Sequence, residues 1–167
     1  MACRGALIAL PTELRKELEA RETGEDRFFY VTDLPKVSEE YWQDLDKAWD
    51  AIHRCLTKSP PNTPDSLDEK AGEYPLNLCI LGGKQLSGDD SYIINLIESE
   101  QVSDVAAALQ GITEEQFTEL YRKHCEGAWP EYGEDDRGYS WAYFGAMRDF
   151  FKRVAPSGRA VIFSVDQ

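Results

Sequence analysis

The chain has 167 residues, 42% of them hydrophobic, with 4 Trp, 8 Tyr and 7 Phe, enough for one core that buries about two-thirds of the unfolded surface. Eighteen basic against 31 acidic residues leave a formal net charge of -13, a field that repels phosphate backbones and anionic lipid. Nucleic-acid and membrane-surface roles are therefore disfavoured, whereas a basic protein partner would be attracted.

Gly5 to Leu10 (GALIAL) is a short apolar run expected as a buried strand. Pro11-Thr12-Glu13 then opens a helix to about Ala20, with proline in the first turn and acid at the positive end of the dipole. The charged stretch Glu22 to Asp26 connects to Arg27–Val31 (RFFYV), which reads as a second strand or docking segment ended by Pro35. Ser38, with Glu39 and Glu40, starts a long central helix running to about Leu56. On that helix Leu45, Ala48, Trp49, Ile52 and Leu56 share a buried face. Asp46, Asp50, His53 and Thr57 fall together on the flank beside it.

Residues 58–75 carry four prolines and few large apolar groups and read as a long loop. Leu76 to Leu81 (LNLCIL) is expected as a strand ended by Gly82-Gly83, and Tyr92 to Ile97 (YIINLI) as another. Helical spacing returns over Ser99 to Leu109, and Thr113-Glu-Glu-Gln116 is a capping box opening a helix to about Cys125. Residues 127–138 form a second long loop, acidic and aromatic. Tyr139 to Val154 is the last helix, stopped near Gly158, and Ala160 to Val165 closes the chain as a strand. The expected fold class is α+β: one domain over 1–167, a single mixed sheet holding both terminal strands, and about five helices.

Cys3, Cys55, Cys79 and Cys125 form no CxxC pair, and Cys55 and Cys79 sit in apolar patterns as small core residues. Ala6 to Leu10 is too short for a signal-peptide core and is followed by proline, so a reducing cytoplasm is the expected address.

A carboxylate near His53, from Asp50 or Asp46, is the pairing that general-base chemistry uses. No nucleophile stands beside it in sequence, so a histidine hydrogen-bonded at the helix edge is the more economical reading. Leu81-Gly82-Gly83-Lys84 lacks the spacing of a P-loop and reads as a turn that exploits glycine's positive φ. Glu131, Glu134, Asp135 and Asp136 do not match a calcium loop and read as a solvated acidic run. His124-Cys125 with His53 and Cys55 lacks zinc-ligand spacing, so neither metal nor cofactor is expected. Trp129, Tyr132 and Trp141, with Trp49 and Thr57 beside the acids, are the candidate binding residues; Trp141 lies off the apolar face of the last helix.

Trp49-Asp50-Ala51-Ile52-His53 followed by Leu56-Thr57, then Pro75-Leu76, Leu81-Gly82-Gly83, the QVSDVAAAL helix and the ending FFKRVAPSGRAVIFSV resemble the YfbM-like family of uncharacterised bacterial proteins. The resemblance runs over most of the chain. It implies a cytoplasmic α+β domain and brings no activity. A protein- or ligand-binding domain is the leading expectation. A small hydrolase or transferase using His53 with Asp50 or Asp46 is the alternative, and a homo-oligomer built on an apolar self-interface is a third class.

Overall fold

Alternation along the first strand sets the architecture. Within β1 (Gly5–Leu10), Leu7 and Ala9 point to one side and Ile8 and Leu10 to the other, and all four are buried. A strand apolar on both faces has to lie between two layers. The computed structural model describes residues 3–34, 38–59, 71–87 and 91–166; most of the loop expected at 58–75 lies outside them.

β1 pairs antiparallel with β5 (Ala160–Asp166), Leu7 opposite Phe163, and β5 pairs antiparallel with β4 (Tyr92–Ile97). Edge strands β2 (Trp42–Asp46) and β3 (Lys84–Gln85) complete a five-stranded sheet of order β2-β1-β5-β4-β3, with both terminal strands central. The pairings are all antiparallel. Helices α1 (Thr12–Glu19) and α2 (Gly24–Asp33) cover one face, closing a smaller core of Ile8, Leu10, Leu18, Val31, Ile94 and Ile162. The larger core, on the other face, is built with α3 (Ala48–Thr57), α4 (Ser99–Gln110), α5 (Glu114–His124) and α6 (Glu134–Val154). The fold is α+β, with six α-helices among the described residues.

Several expected elements change type. RFFYV is helical, inside α2: Thr23 caps it by accepting the Asp26 amide (3.0 Å), with Glu25 and Asp26 in the first turn. Burying Val31, with Phe28 partly buried, against the sheet outweighs the strand preference of a five-residue aromatic run. The long central helix does not form. Its first half is a 3₁₀ turn (Glu39–Tyr41) and β2, so Leu45 reaches the core from a strand rather than a helix face. LNLCIL is a 3₁₀ turn (Leu76–Cys79) whose Leu78, Cys79, Ile80 and Leu81 are nonetheless buried. Gly83 does not take a positive φ; it is needed for close approach, because a Cβ there would stand 2.6 Å from the Leu96 carbonyl oxygen. Finally, α6 starts at Glu134, which puts Glu134, Asp135 and Asp136 in its first turn, where the dipole favours acid.

Other elements follow the pattern read from sequence. The Thr113/Gln116 capping box closes reciprocally, at 3.2 and 3.0 Å, and Gly158 ends the last helical turn at φ 67°.

Candidate functional site

The structure disperses the acid–histidine cluster. Asp46 is the last residue of β2, not a helix-flank residue: its φ is 44°, its amide bonds to Asp44 Oδ1 (2.7 Å), and its carboxylate accepts Arg4 Nε (2.9 Å). His53 does lie on α3 but is only 1% exposed, so it lines no open catalytic edge. Its carbonyl accepts the Thr57 hydroxyl (2.8 Å). With its proton committed there, Thr57 Oγ1 accepts in turn from Ser59 Oγ (2.6 Å). Gly72, at φ +85°, lays backbone against this point, since a Cβ on it would come 2.8 Å from Thr57 Cα.

Asp50 belongs to a different group. One of its oxygens accepts both Arg54 Nε (2.9 Å) and the Tyr132 hydroxyl. Arg54 is 3% exposed; burial works against its charge, but the hydrogen bond and attraction of Asp50 outweigh it and raise its pKa. Burial also pushes the Tyr132 phenol up, reinforced by Asp50, so it stays a neutral donor. Next to it, Tyr121 donates to Asp136 Oδ2 (2.6 Å), which also takes the Ser140 hydroxyl. Burial raises the Asp136 carboxyl above its usual range, with Glu131 and Asp50 adding to the effect against those two bonds. Cys125 Sγ donates to the Ala51 carbonyl (3.4 Å), and Cys55 Sγ lies 3.6 Å from it. Burial holds the Cys55 thiol well above the ordinary value, as suits a packing thiol rather than a nucleophile.

The aromatic candidates part company. The Trp49 indole is buried, packed at a tilt against Phe163 (5.7 Å) and donating to the Cys3 carbonyl (3.1 Å). Trp141 is half-buried against Phe117 and Phe144, both at 5.4 Å, rather than turned away from the apolar side. Trp129 is 50% exposed.

An open concavity among the described residues lies elsewhere on α3. Between its C-terminal end, the end of α4 and one side of α5 is a cavity of about 580 Å³. Leu56, Leu76, Ile112 and Leu120 supply apolar wall, and Lys58, Lys123, Glu119 and His124 supply polar groups. His124 is 7% exposed. Its Nδ1 meets the Ser59 carbonyl at 3.0 Å, and its Nε2 is buried with no hydrogen-bond partner among the described residues. Burial lowers its pKa, and the nearby Lys123 and Lys58 lower it further, against the bond to Ser59. Burial therefore favours the neutral imidazole. Among the described residues no three His, Cys, Asp or Glu side chains gather as a metal site, and no helix is long and apolar enough to cross a membrane.

The sequence profile of the family described as Domain of unknown function (DUF1877) matches residues 1–164. The chain belongs to this family. Among solved structures it is similar to the protein of unknown function YfbM from Escherichia coli, with a TM-score of 0.68 and 14% identity over 97% of this chain and 99% of that one. At that identity the likeness carries the fold alone. No curated protein matches significantly. This DUF1877 chain therefore takes its site from its own geometry.

Sequence reasoning missed Arg54 and Tyr121, read Asp136 only as part of a solvated acidic run, and saw His124 only as a zinc candidate. Two signals were available. Asp50/Arg54 and Asp136/Ser140 are both i,i+4 pairs. Phe117, Tyr121 and His124 are spaced i, i+4, i+7, which is the spacing of a buried stripe.

Proposed function

We propose that this chain is a small-ligand-binding domain whose site is the cavity between α3, α4 and α5. One observation carries the reading: a cavity of about 580 Å³ with largely apolar walls is lined in part by His124, whose Nε2 is buried behind that wall with no partner among the described residues. Ligand pockets typically span roughly 300–1,000 Å³ and combine apolar walls with a few convergent polar groups. A reducing, cytoplasmic setting suits the buried free thiols of Cys55, Cys79 and Cys125. Screening a fragment library by backbone amide shifts tests the proposal. Hits should move Ile112, Leu120 and His124; hits that consistently map elsewhere would refute it.

A second reading is a protein partner, basic in character, met by Trp129. Its support is a half-exposed tryptophan three residues before the Tyr132 that is anchored to Asp50, on a chain of net charge -13. Affinity capture with a salt titration tests it: binding should weaken as salt rises and fail in Trp129→Ala.

A further inference from the structure

We propose that the cavity takes a compact, neutral, apolar molecule bearing an O–H or N–H donor, of the phenol or indole class, and that the donor is delivered to Nε2 of His124. This rests on the cavity reading above and adds the ligand's chemistry.

The argument starts from the proton on the ring. A carbonyl only accepts, so the contact to Ser59 places the imidazole hydrogen on Nδ1. In the neutral ring Nε2 is then a lone pair, an acceptor that is buried and unmatched among the described residues. A buried polar group of this kind calls for a partner, and only a donor can be one. The lining charges narrow the choice. Lys58 and Lys123 outweigh Glu119, so the wall is net positive and a protonated amine is repelled. A carboxylate would set its own lone pairs against that of Nε2. A neutral hydroxyl or indole-type N–H meets both conditions. Leu56, Leu76, Ile112 and Leu120 suit an apolar body, and about 580 Å³ leaves room for two fused rings. Nε2 has no solvent access, so delivery of the donor requires the side chains over it to part, and the ring nitrogen would report that event directly.

The test uses the full chain and a matched pair of probes, 2-naphthol and 2-methoxynaphthalene, which share an apolar body and differ in the donor. Affinity is measured by titration while the imidazole nitrogen resonances are followed; His53 and His124 are the only two histidines, so assignment is direct. A hydrogen bond to an otherwise unsatisfied acceptor should make 2-naphthol bind about tenfold tighter or more, with the His124 Nε2 resonance moving. His124→Phe should abolish the preference, and His124→Gln, which restores an acceptor oxygen, should recover part of it. Equal affinities with shifts on the lining residues, or a preference that leaves Nε2 unmoved, would overturn the donor requirement while leaving a ligand cavity. Failure of both probes to perturb the lining residues would overturn the cavity reading as well. If His124→Phe does not fold, the wild-type affinity ratio and the Nε2 resonance decide.

Discussion

Removing the Asp50 carboxylate is the sharpest test of what holds residues 127–138 to the core. Arg54 Nε sits 2.9 Å from Asp50 Oδ2, with side-chain exposures of 4% and 17%, so the pair is largely but not wholly buried. Breaking a buried pair by deleting one partner costs about 3–5 kcal/mol, because the surviving charge is stranded. Partial exposure of Asp50 puts this case near the lower end. Asp50→Ala also leaves the Tyr132 hydroxyl without its acceptor, a bond to a charged group of about 1.5–3 kcal/mol. The two losses share one carboxylate and do not add, so the expected cost is about 3–4 kcal/mol. For a chain of this length that is a fall in Tm of roughly 6–16 °C. Equilibrium urea unfolding followed by tryptophan fluorescence measures it. A double-mutant cycle with Tyr132→Phe should return a coupling of about 1.5–3 kcal/mol. A cost below about 1 kcal/mol with no coupling would refute the reasoning, because it is what a solvent-screened surface pair gives.

Two further outcomes follow from local geometry. Gly83→Ala puts a methyl group against the Leu96 backbone and should push the β3 edge away at a cost of about 1–3 kcal/mol. Faster hydrogen exchange at the Leu86 amide, which bonds to the Ile94 carbonyl at 2.8 Å, would register it, and unchanged protection would count against the steric account. Asp136 has a folded-state pKa raised above its unfolded value, so its stabilising contribution is present below the usual carboxylate range and lost as pH rises through the raised value. The stability of Asp136→Asn relative to wild type should therefore improve from pH 4 to pH 7. The opposite trend in denaturation midpoints would mean that Tyr121 and Ser140 favour the carboxylate more than burial disfavours it.

The terminal strands, α4, α5 and the Thr113 capping box were legible because each rests on a local signal: an apolar run or a reciprocal cap. Where local signals compete, the sequence is ambiguous. Leu45 fits the helical spacing of Ala48, Trp49, Ile52 and Leu56, yet pairing of β2 with β1 puts it in the same core from a strand. The same ambiguity moved Asp46 onto a helix flank it does not share with His53. RFFYV carries strand-forming residues, and only the Thr23 cap upstream distinguishes a helix. The site was less legible than the fold because its decisive contacts join distant segments. Asp50 meets Tyr132 across 82 positions and His124 meets Ser59 across 65, and no periodicity encodes either distance.

Buried polarity in this domain is strongly localised. Of the nine buried polar residues among those described, His53, Arg54, Thr57, Ser59, His124 and Ser140 belong to α3 and the segments packed on it. Folding alone gives little reason for this, since a buried ion pair replaced by apolar groups of similar volume often leaves stability unchanged or improves it. The triple substitution Asp50→Leu, Arg54→Met, Tyr132→Phe separates the two accounts, because it removes the charges and the hydroxyl together and strands none of them. Stability within about 1 kcal/mol of wild type would place the value of these groups outside folding, as expected where a site is retained against stability. A loss approaching the 3–4 kcal/mol of Asp50→Ala would make the network a structural clamp. The cavity beside His124 would then have to stand as a site on its own contacts.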